Sequence, residues 1–120
     1  MTDSFGGHPN LSEEINENIK NIMESNILGG VYLKDIAIGG GLKIITKNSL
    51  YTLRRVSDQV YTIQGHERFC AKETFCVVHG STWGGSLIKM GFIGRGMLLE
   101  FSTDSYNNVT TSKIHEIDSL

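Results

Sequence analysis

Hydrophobic residues recur along the chain with two different periods, and the change from one to the other falls at Gly29 and Gly30. Before these glycines the apolar positions lie three or four residues apart, as on one face of an α-helix: Leu11, Ile15, Ile19, Ile22, Met23 and Ile27. Asn10 suits the N-cap position, and Glu13 three residues later suits a capping box. The pattern predicts a helix over about 10–28, which follows a flexible tail at 1–9 and packs through its apolar stripe.

From residue 31 onward, short β-branched and aromatic runs alternate with clusters of glycine, serine and asparagine, which is typical of strands joined by turns. The runs predict strands near residues 31–37, 42–47, 50–56, 59–64, 74–79, 86–93, 96–102 and 108–117. No helical period separates them, so antiparallel connections are favoured. In the run 96–102, the alternation places Met97, Leu99 and Phe101 on one face of the strand.

The length and the glycine content of the chain indicate that these elements form one domain. The chain has 120 residues, of which 14 are glycine, against an average glycine share of about 7%. Glycine supplies the bends and bulges that a tightly coiled sheet needs. We therefore predict a single domain over 10–120 with an α+β, mainly β fold: one N-terminal helix packed on a strongly curved antiparallel sheet or small β-barrel, with the β-rich body over about 31–117.

The stretch 79–101, HGSTWGGSLIKMGFIGRGMLLEF, holds six of the glycines and resembles several phosphate-binding motifs without matching one. A P-loop requires a lysine directly after its second glycine, where this chain has Ser86. The order of glycines at 91–96 is the reverse of the dinucleotide fingerprint, and the nucleophile-elbow pattern lacks its last glycine. Two interpretations remain. Either the glycines turn corners of the barrel, or the loop amides and nearby side chains bind an anion or small molecule. The candidate ligand-binding residues are Ser81, Thr82, Trp83, Lys89 and Arg95.

A second candidate surface is the basic stretch 43–55, which could contact a nucleic-acid backbone. Its candidate residues are Lys43, Lys47, Tyr51, Arg54 and Arg55. The formal net charge of the chain is −2, however, and residues 29–120 carry ten basic and eight acidic side chains. This balance is weaker than nucleic-acid-binding domains usually show, so nucleic acid is a disfavoured partner.

Metal binding and catalysis receive little support from the sequence. His66, Cys70, Cys76 and His79 have the residue types of a zinc site. In an extended strand, however, Cys76 and His79 point to opposite faces. We therefore expect no metal and no cofactor, with the cysteines buried or joined by a disulfide. His79 lies beside Ser81, but no third catalytic group can be placed, so no catalytic residue is predicted.

Localisation and assembly follow from the apolar pattern. The N-terminus has neither the basic nor the apolar region of a secretion signal, and no apolar run is long enough to span a bilayer. We expect a cytoplasmic protein with no membrane partner. Several predicted strands carry large apolar residues on both faces, as at Leu87–Ile88 and Leu98–Leu99. One helix cannot cover both faces, which predicts a homo-oligomer, most simply a dimer.

The stretch 79–101, together with NSLYTL and GHERFC before it and VTTSKIHEI after it, resembles a family of short bacterial proteins, of the kind carried on mobile integron gene cassettes. The resemblance covers about residues 40–117 and implies no activity. The sequence therefore predicts a self-associating binding or interaction module rather than an enzyme. The alternatives are a small-molecule or anion binder using residues 80–96, and a weak nucleic-acid-binding barrel using residues 43–55.

Overall fold

The computed structural model describes residues 29–120. The predicted tail at 1–9 and the predicted helix over 10–28, including its proposed packing through Ile15, Ile19, Ile22 and Met23, lie outside the described residues.

Nine strands make up most of the described chain. They are β1 (Gly30–Tyr32), β2 (Gly41–Thr46), β3 (Leu50–Ser57), β4 (Val60–Gln64), β5 (Thr74–Thr82), β6 (Ile88–Met90), β7 (Phe92–Gly94), β8 (Leu98–Thr103) and β9 (Val109–Ser119). A 3-10 turn, Leu33–Asp35, follows β1, and one helical turn, Glu67–Cys70, joins β4 to β5. His66 caps this helical turn, because its ring Nδ1 accepts a hydrogen bond from the Arg68 amide at 3.1 Å.

Six of the strands close into an antiparallel barrel. The order around the barrel is β4, β3, β2, β9, β8 and β5, and pairing of β4 with β5 closes the ring. Strand β6 extends the sheet from the far part of β5, while β1 and β7 form a separate antiparallel pair. The predicted mainly β fold, in its small-barrel form, is therefore confirmed.

Side chains fill the interior of the barrel. Fully enclosed apolar residues of this interior include Ile44, Leu53, Ile63, Leu99, Phe101 and Ile114, which come from five of the barrel strands. Met97, Leu99 and Phe101, which were predicted to share one face, are all fully buried. The interior of this barrel is a packed core, as expected for so few strands.

The pair β1–β7 is held against the barrel where β5 bends. Between Val78 and Gly80 the register of β5 against β8 shifts, which marks a β-bulge. Gly80 has a φ of +143°, and a Cβ on it would lie 2.1 Å from the Lys89 carbonyl oxygen. Only glycine fits this position, where β5, β6 and β8 meet.

Two predicted strands differ from those observed. The strand predicted over 31–37 ends at Tyr32, because the amide of Ile36 turns back to the Leu33 carbonyl and forms the 3-10 turn. The strand predicted over 86–93 is split at Gly91, which has a φ of +67° and donates its amide to the His79 carbonyl. The helical turn at Glu67–Cys70 was not predicted, since four residues are too few to show a helical period.

Candidate functional site

The pairing of β4 with β5 that closes the barrel along a seam covers only the first part of β5. These strands pair at only three positions, from Tyr61 with Cys76 to Ile63 with Thr74. Strand β5 continues to Thr82 and finds its next partner, β6, at Gly80. In the registers of the described chain, Val77 and Val78 therefore have partners on β8 but none on the seam side.

A groove of about 390 Å³ occupies this opening, and we call it the seam groove. Its walls are the turn at Tyr32–Lys34, the hairpin tip at Asp58–Gln59, the β5 residues Val77 and Val78, and Met90 with Gly91. Two of these side chains are apolar and largely exposed: Met90 at 69% and Val77 at 64%. The volume falls within the range typical of ligand sites, and the lining joins apolar surface to a charged rim.

Arg55 borders the groove but serves as a structural brace. Its guanidinium donates to the Ile36 carbonyl at 2.8 Å and to the Asp58 carbonyl at 2.9 Å. It also forms a 2.9 Å ion pair with the Asp58 carboxylate. These bonds tie the segment after the 3-10 turn to the β3–β4 hairpin. An arginine whose donors are already used in this way offers little to a ligand.

Two lysines contact aromatic rings at or near the groove, which Tyr32 and Lys34 line. Lys89 places its Nζ 4.1 Å from the centre of the Phe92 ring and 5.7 Å from that of Tyr32. Lys34 Nζ lies 5.8 Å from the Tyr32 ring centre. The two ammonium groups are thus held by cation–π contacts on a partly exposed aromatic surface.

A second candidate surface lies on the outside of β4 and β5, and we call it the outer face. Phe75 and Val77 point outward from β5 and are 65% and 64% exposed, and Val60 on β4 is also exposed. A shallow depression of about 180 Å³, bounded in part by Ser102 and Asp104, lies beside Phe75 and Val77. Large apolar side chains at mid-strand positions of an exposed face are typical of interaction surfaces.

The hydroxyls of the predicted ligand-binding residues Ser81 and Thr82 are used inside the fold. Ser81 has no exposure; its Oγ donates to the Phe92 carbonyl at 2.6 Å and accepts from the Gly94 amide at 3.0 Å. Thr82 Oγ1 donates to the Leu87 carbonyl at 2.6 Å and accepts from the Gly84 amide at 3.1 Å. Ser81 therefore joins β5 to β7, and Thr82 closes the loop that follows β5.

The other three predicted ligand-binding residues do not converge with these hydroxyls. Trp83 is half-buried in the loop after β5. Lys89 Nζ lies over the Phe92 ring, at 4.1 Å from its centre. Arg95 donates to the Ile117 carbonyl on β9 at 2.9 Å. Ligand binding by the stretch 80–96 stays a prediction, and of its predicted residues Lys89 contacts the groove residue Tyr32.

The residues predicted for nucleic-acid contact are divided between the inside and the outside of the barrel. Tyr51 is only 3% exposed and packs edge-on against Phe101 in the core, so this ring is unable to stack on a base. Arg55 is the brace described above. Lys47 and Arg54 are exposed, and Lys43 is half-buried. The alternation of β3 turns the Tyr51 side chain inward, and nucleic-acid contact by the basic stretch stays a prediction.

His79 has a different partner from the one considered in the sequence. Its Nε2 lies 2.8 Å from Ser102 Oγ on β8, while Ser81 points into the fold. Ser102 Oγ also accepts a hydrogen bond from the Asn108 amide at 3.0 Å. The contact joins β5 to β8 and to the start of β9, and among residues 29–120 no carboxylate is hydrogen-bonded to His79.

Cys70 and Cys76 are buried free thiols, with no disulfide between them. Burial raises the pKa of Cys76 to about 12, and the neighbouring Cys70 adds to this rise. Within the described residues, no group of three or more histidine, cysteine, aspartate or glutamate side chains is placed to hold a metal ion. No helix of residues 29–120 has the length and apolar character needed to cross a membrane.

Comparisons with family models, curated proteins and solved structures give no match to this chain. The function must therefore be argued from its two candidate surfaces.

Sequence reasoning missed the residues that form those surfaces, chiefly Tyr32, Lys34, Phe75 and Met90. A usable signal was present for Phe75: the run FCVV at 75–78 is apolar at every position. In a strand, such a run must place apolar side chains on both faces. The groove residues had no local signal, since they come from four separate segments.

Proposed function

We propose that this protein is a small binding module that associates with itself through the outer face of β4 and β5, and that it acts by binding rather than by catalysis. The observation that carries the proposal is the exposure of Phe75 and Val77 side by side on β5, with Val60 next to them on β4.

The area of this face is large enough to form the centre of an interface. A phenylalanine side chain has an area of about 200 Å², so Phe75 leaves on the order of 130 Å² in contact with water. At about 25 cal/mol per Å², covering that area contributes roughly 3 kcal/mol per copy. A partner that covers this face gains apolar contact without having to displace buried residues.

A second copy of the chain fits this face better than a strongly charged partner. The outer face is apolar at its centre, and the chain carries a formal net charge of only −2, so repulsion between copies is weak. In a two-fold dimer each copy presents the same patch to the other, so apolar side chains near the axis meet their own equivalents. The proposed pairing brings Phe75 and Val77 of the two copies together.

The test is the molecular mass in solution, measured by light scattering and sedimentation over a hundredfold range of concentration. The full chain should show twice its mass of 13.3 kDa. Phe75→Asp should raise the dissociation constant of the dimer at least about 100-fold, because both copies lose a buried ring. Leu50→Asp is the matched control, since Leu50 is also exposed but lies on β3, away from the outer face.

Two results would reject the proposal. One is a mass of 13.3 kDa at every concentration. The other is a dimer that Phe75→Asp and Leu50→Asp weaken equally, which would place the interface elsewhere. Circular dichroism of each variant separates loss of association from loss of folding.

A further inference from the structure

The seam groove is too short to take an added polypeptide strand. Strand β5 pairs with β4 up to Cys76 and with β6 from Gly80, so residues 77–79 lie between the two partners. At about 3.3 Å per residue this stretch is roughly 10 Å long, and at its far end the Gly91 amide already donates to the His79 carbonyl. Strands in globular proteins usually have about five or six residues. A small molecule therefore fits this gap better than a peptide that adds to the sheet.

The side chains around the gap offer apolar surface that is open to solvent. Met90, Val77 and Tyr32 all line the groove, and all three are exposed. The flexible methionine side chain adapts to ligands of different shape. The groove volume of about 390 Å³ lies within the range of small-molecule sites. A small apolar body can therefore be covered here without displacing a residue of the core.

The charge of the groove selects the sign of its ligand. Among residues 29–120, the charged side chains that line it are Lys34, Arg55 and Asp58. Arg55 and Asp58 form an ion pair at 2.9 Å, so their charges cancel. The exposed Lys34 ammonium, 5.8 Å from the centre of the Tyr32 ring, leaves the lining with a net positive charge. A positive charge beside an apolar wall favours an anion with an apolar body over a neutral or cationic molecule.

We infer that the seam groove is a binding site for a small amphipathic anion, whose apolar body lies against Val77 and Met90 and whose anionic group pairs with Lys34. The exposed amide side chain of Gln59, on the same rim, supplies a further hydrogen-bond donor. This site goes beyond the proposed self-association and does not rest on it. The dimer is assigned to the outer face centred on Phe75, which does not line the groove.

The experiment is a fluorescence titration of the full-length chain with two dyes that share the same rings. The anionic dye is 8-anilinonaphthalene-1-sulfonate, and N-phenyl-1-naphthylamine is the neutral molecule without the sulfonate. The anionic dye should saturate at one molecule per chain. The neutral dye is the reference that separates the contribution of charge from that of apolar contact.

Methyl NMR of protein with labelled methionine shows where the anionic dye binds. Met90 lines the groove, whereas Met97 is fully buried and provides a reference within the same chain. The dye should shift the Met90 signal and leave the Met97 signal in place. Met90→Gln identifies the signal and should weaken both dyes, because the apolar wall is lost. Leu50→Gln changes an exposed position on β3 outside the groove and should weaken neither.

Removing the lysine charge tests the electrostatic part. Lys34→Met should weaken the anionic dye about three- to fivefold, the size expected for one exposed ion pair, and leave the affinity of the neutral dye unchanged. Lys47→Met makes the same change in net charge at an exposed position outside the groove. It should leave both affinities unchanged. Circular dichroism confirms that each variant is folded.

The outer face is the competing site for either dye, because Phe75 is largely exposed. Phe75→Asp separates the two sites: a Met90 shift that persists in this variant supports the groove, whether or not the protein forms a dimer. Loss of dye binding in Phe75→Asp would place the dye on the outer face and overturn the inference. The absence of saturable binding, a Met90 signal that does not move, or equal effects of Lys34→Met on the two dyes would overturn it as well.

Discussion

Replacing Ser81 by alanine should destabilise the protein far more than the loss of one surface hydroxyl. Ser81 Oγ is fully buried and makes two hydrogen bonds, to the Phe92 carbonyl and from the Gly94 amide. Phe92 and Gly94 are themselves buried on β7, so water is poorly placed to replace the missing hydroxyl. Ser81→Ala therefore leaves one acceptor and one donor of the backbone without a partner.

The size of the effect follows from those two groups. Each buried group left unsatisfied costs about 1–3 kcal/mol. Since local relaxation recovers part of the loss, the free energy of unfolding should fall by about 2–4 kcal/mol. In a domain of this length about 1 kcal/mol corresponds to roughly 4 °C in melting temperature, so the midpoint should fall by about 8–16 °C.

The assay is urea denaturation followed by circular dichroism, with a thermal melt as a second measurement. Ser86→Ala is the matched control, because Ser86 lies in the same glycine-rich stretch but is exposed. The control should remain within about 0.5 kcal/mol of the natural chain. If Ser81→Ala is equally mild, the assignment of Ser81 as the link between β5 and β7 is refuted, and a role at a ligand site becomes the better explanation.

Two further predictions concern the brace and the thiols. Arg55→Met should lower the free energy of unfolding by about 1–3 kcal/mol, because backbone carbonyls lose their donors. Asp58→Asn should lower it by less than about 1 kcal/mol, because that carboxylate is largely exposed. Equal losses of the two variants in urea denaturation would contradict this order. The pKa of Cys76 is raised on folding from 9.0 to about 12. The protonated thiol therefore contributes to the free energy of unfolding in full below pH 9, and this contribution is lost as the pH rises toward 12. The loss is at most about 1.4 kcal/mol per pH unit. Cys76→Ala should flatten the dependence of the free energy of unfolding on pH between 9 and 11, and an unchanged slope would argue against this source.

The local pattern of the sequence predicts those parts of the fold that depend on neighbouring residues. The alternation that groups Met97, Leu99 and Phe101 on one face agrees with the burial of all three side chains. Tyr51 alternates with Leu53 and also points inward, so the period of the strand, rather than the basic residues around it, indicates where this ring lies. The split at Gly91 depends on a hydrogen bond to His79 across the bend, and a distant partner of that kind leaves no local period.

The seam groove could not be predicted from the sequence, because segments far apart in the chain form it. Its residues come from the turn after β1, the β3–β4 hairpin, β5 and the β6–β7 turn. They meet because β5 runs on past its last pair with β4, Tyr61 with Cys76, and leaves a groove there. Pairing between distant strands, such as β2 with β9, determines where that opening lies. The predicted ligand-binding residues all come from the glycine-rich stretch 79–101, and of these Lys89 contacts the groove residue Tyr32.

The packed interior restricts where binding can occur. Larger barrels hold ligands inside, but here Ile44, Leu53 and Phe101 fill the centre without exposure. A ligand inside the barrel would have to displace them, at a cost of several kcal/mol per large side chain. The outside offers apolar surface that is already exposed, on the outer face and at the seam. These two surfaces meet at Val77, so occupation of one changes the border of the other. A dimer seated on Phe75 is therefore expected to restrict access to the groove wall at Val77.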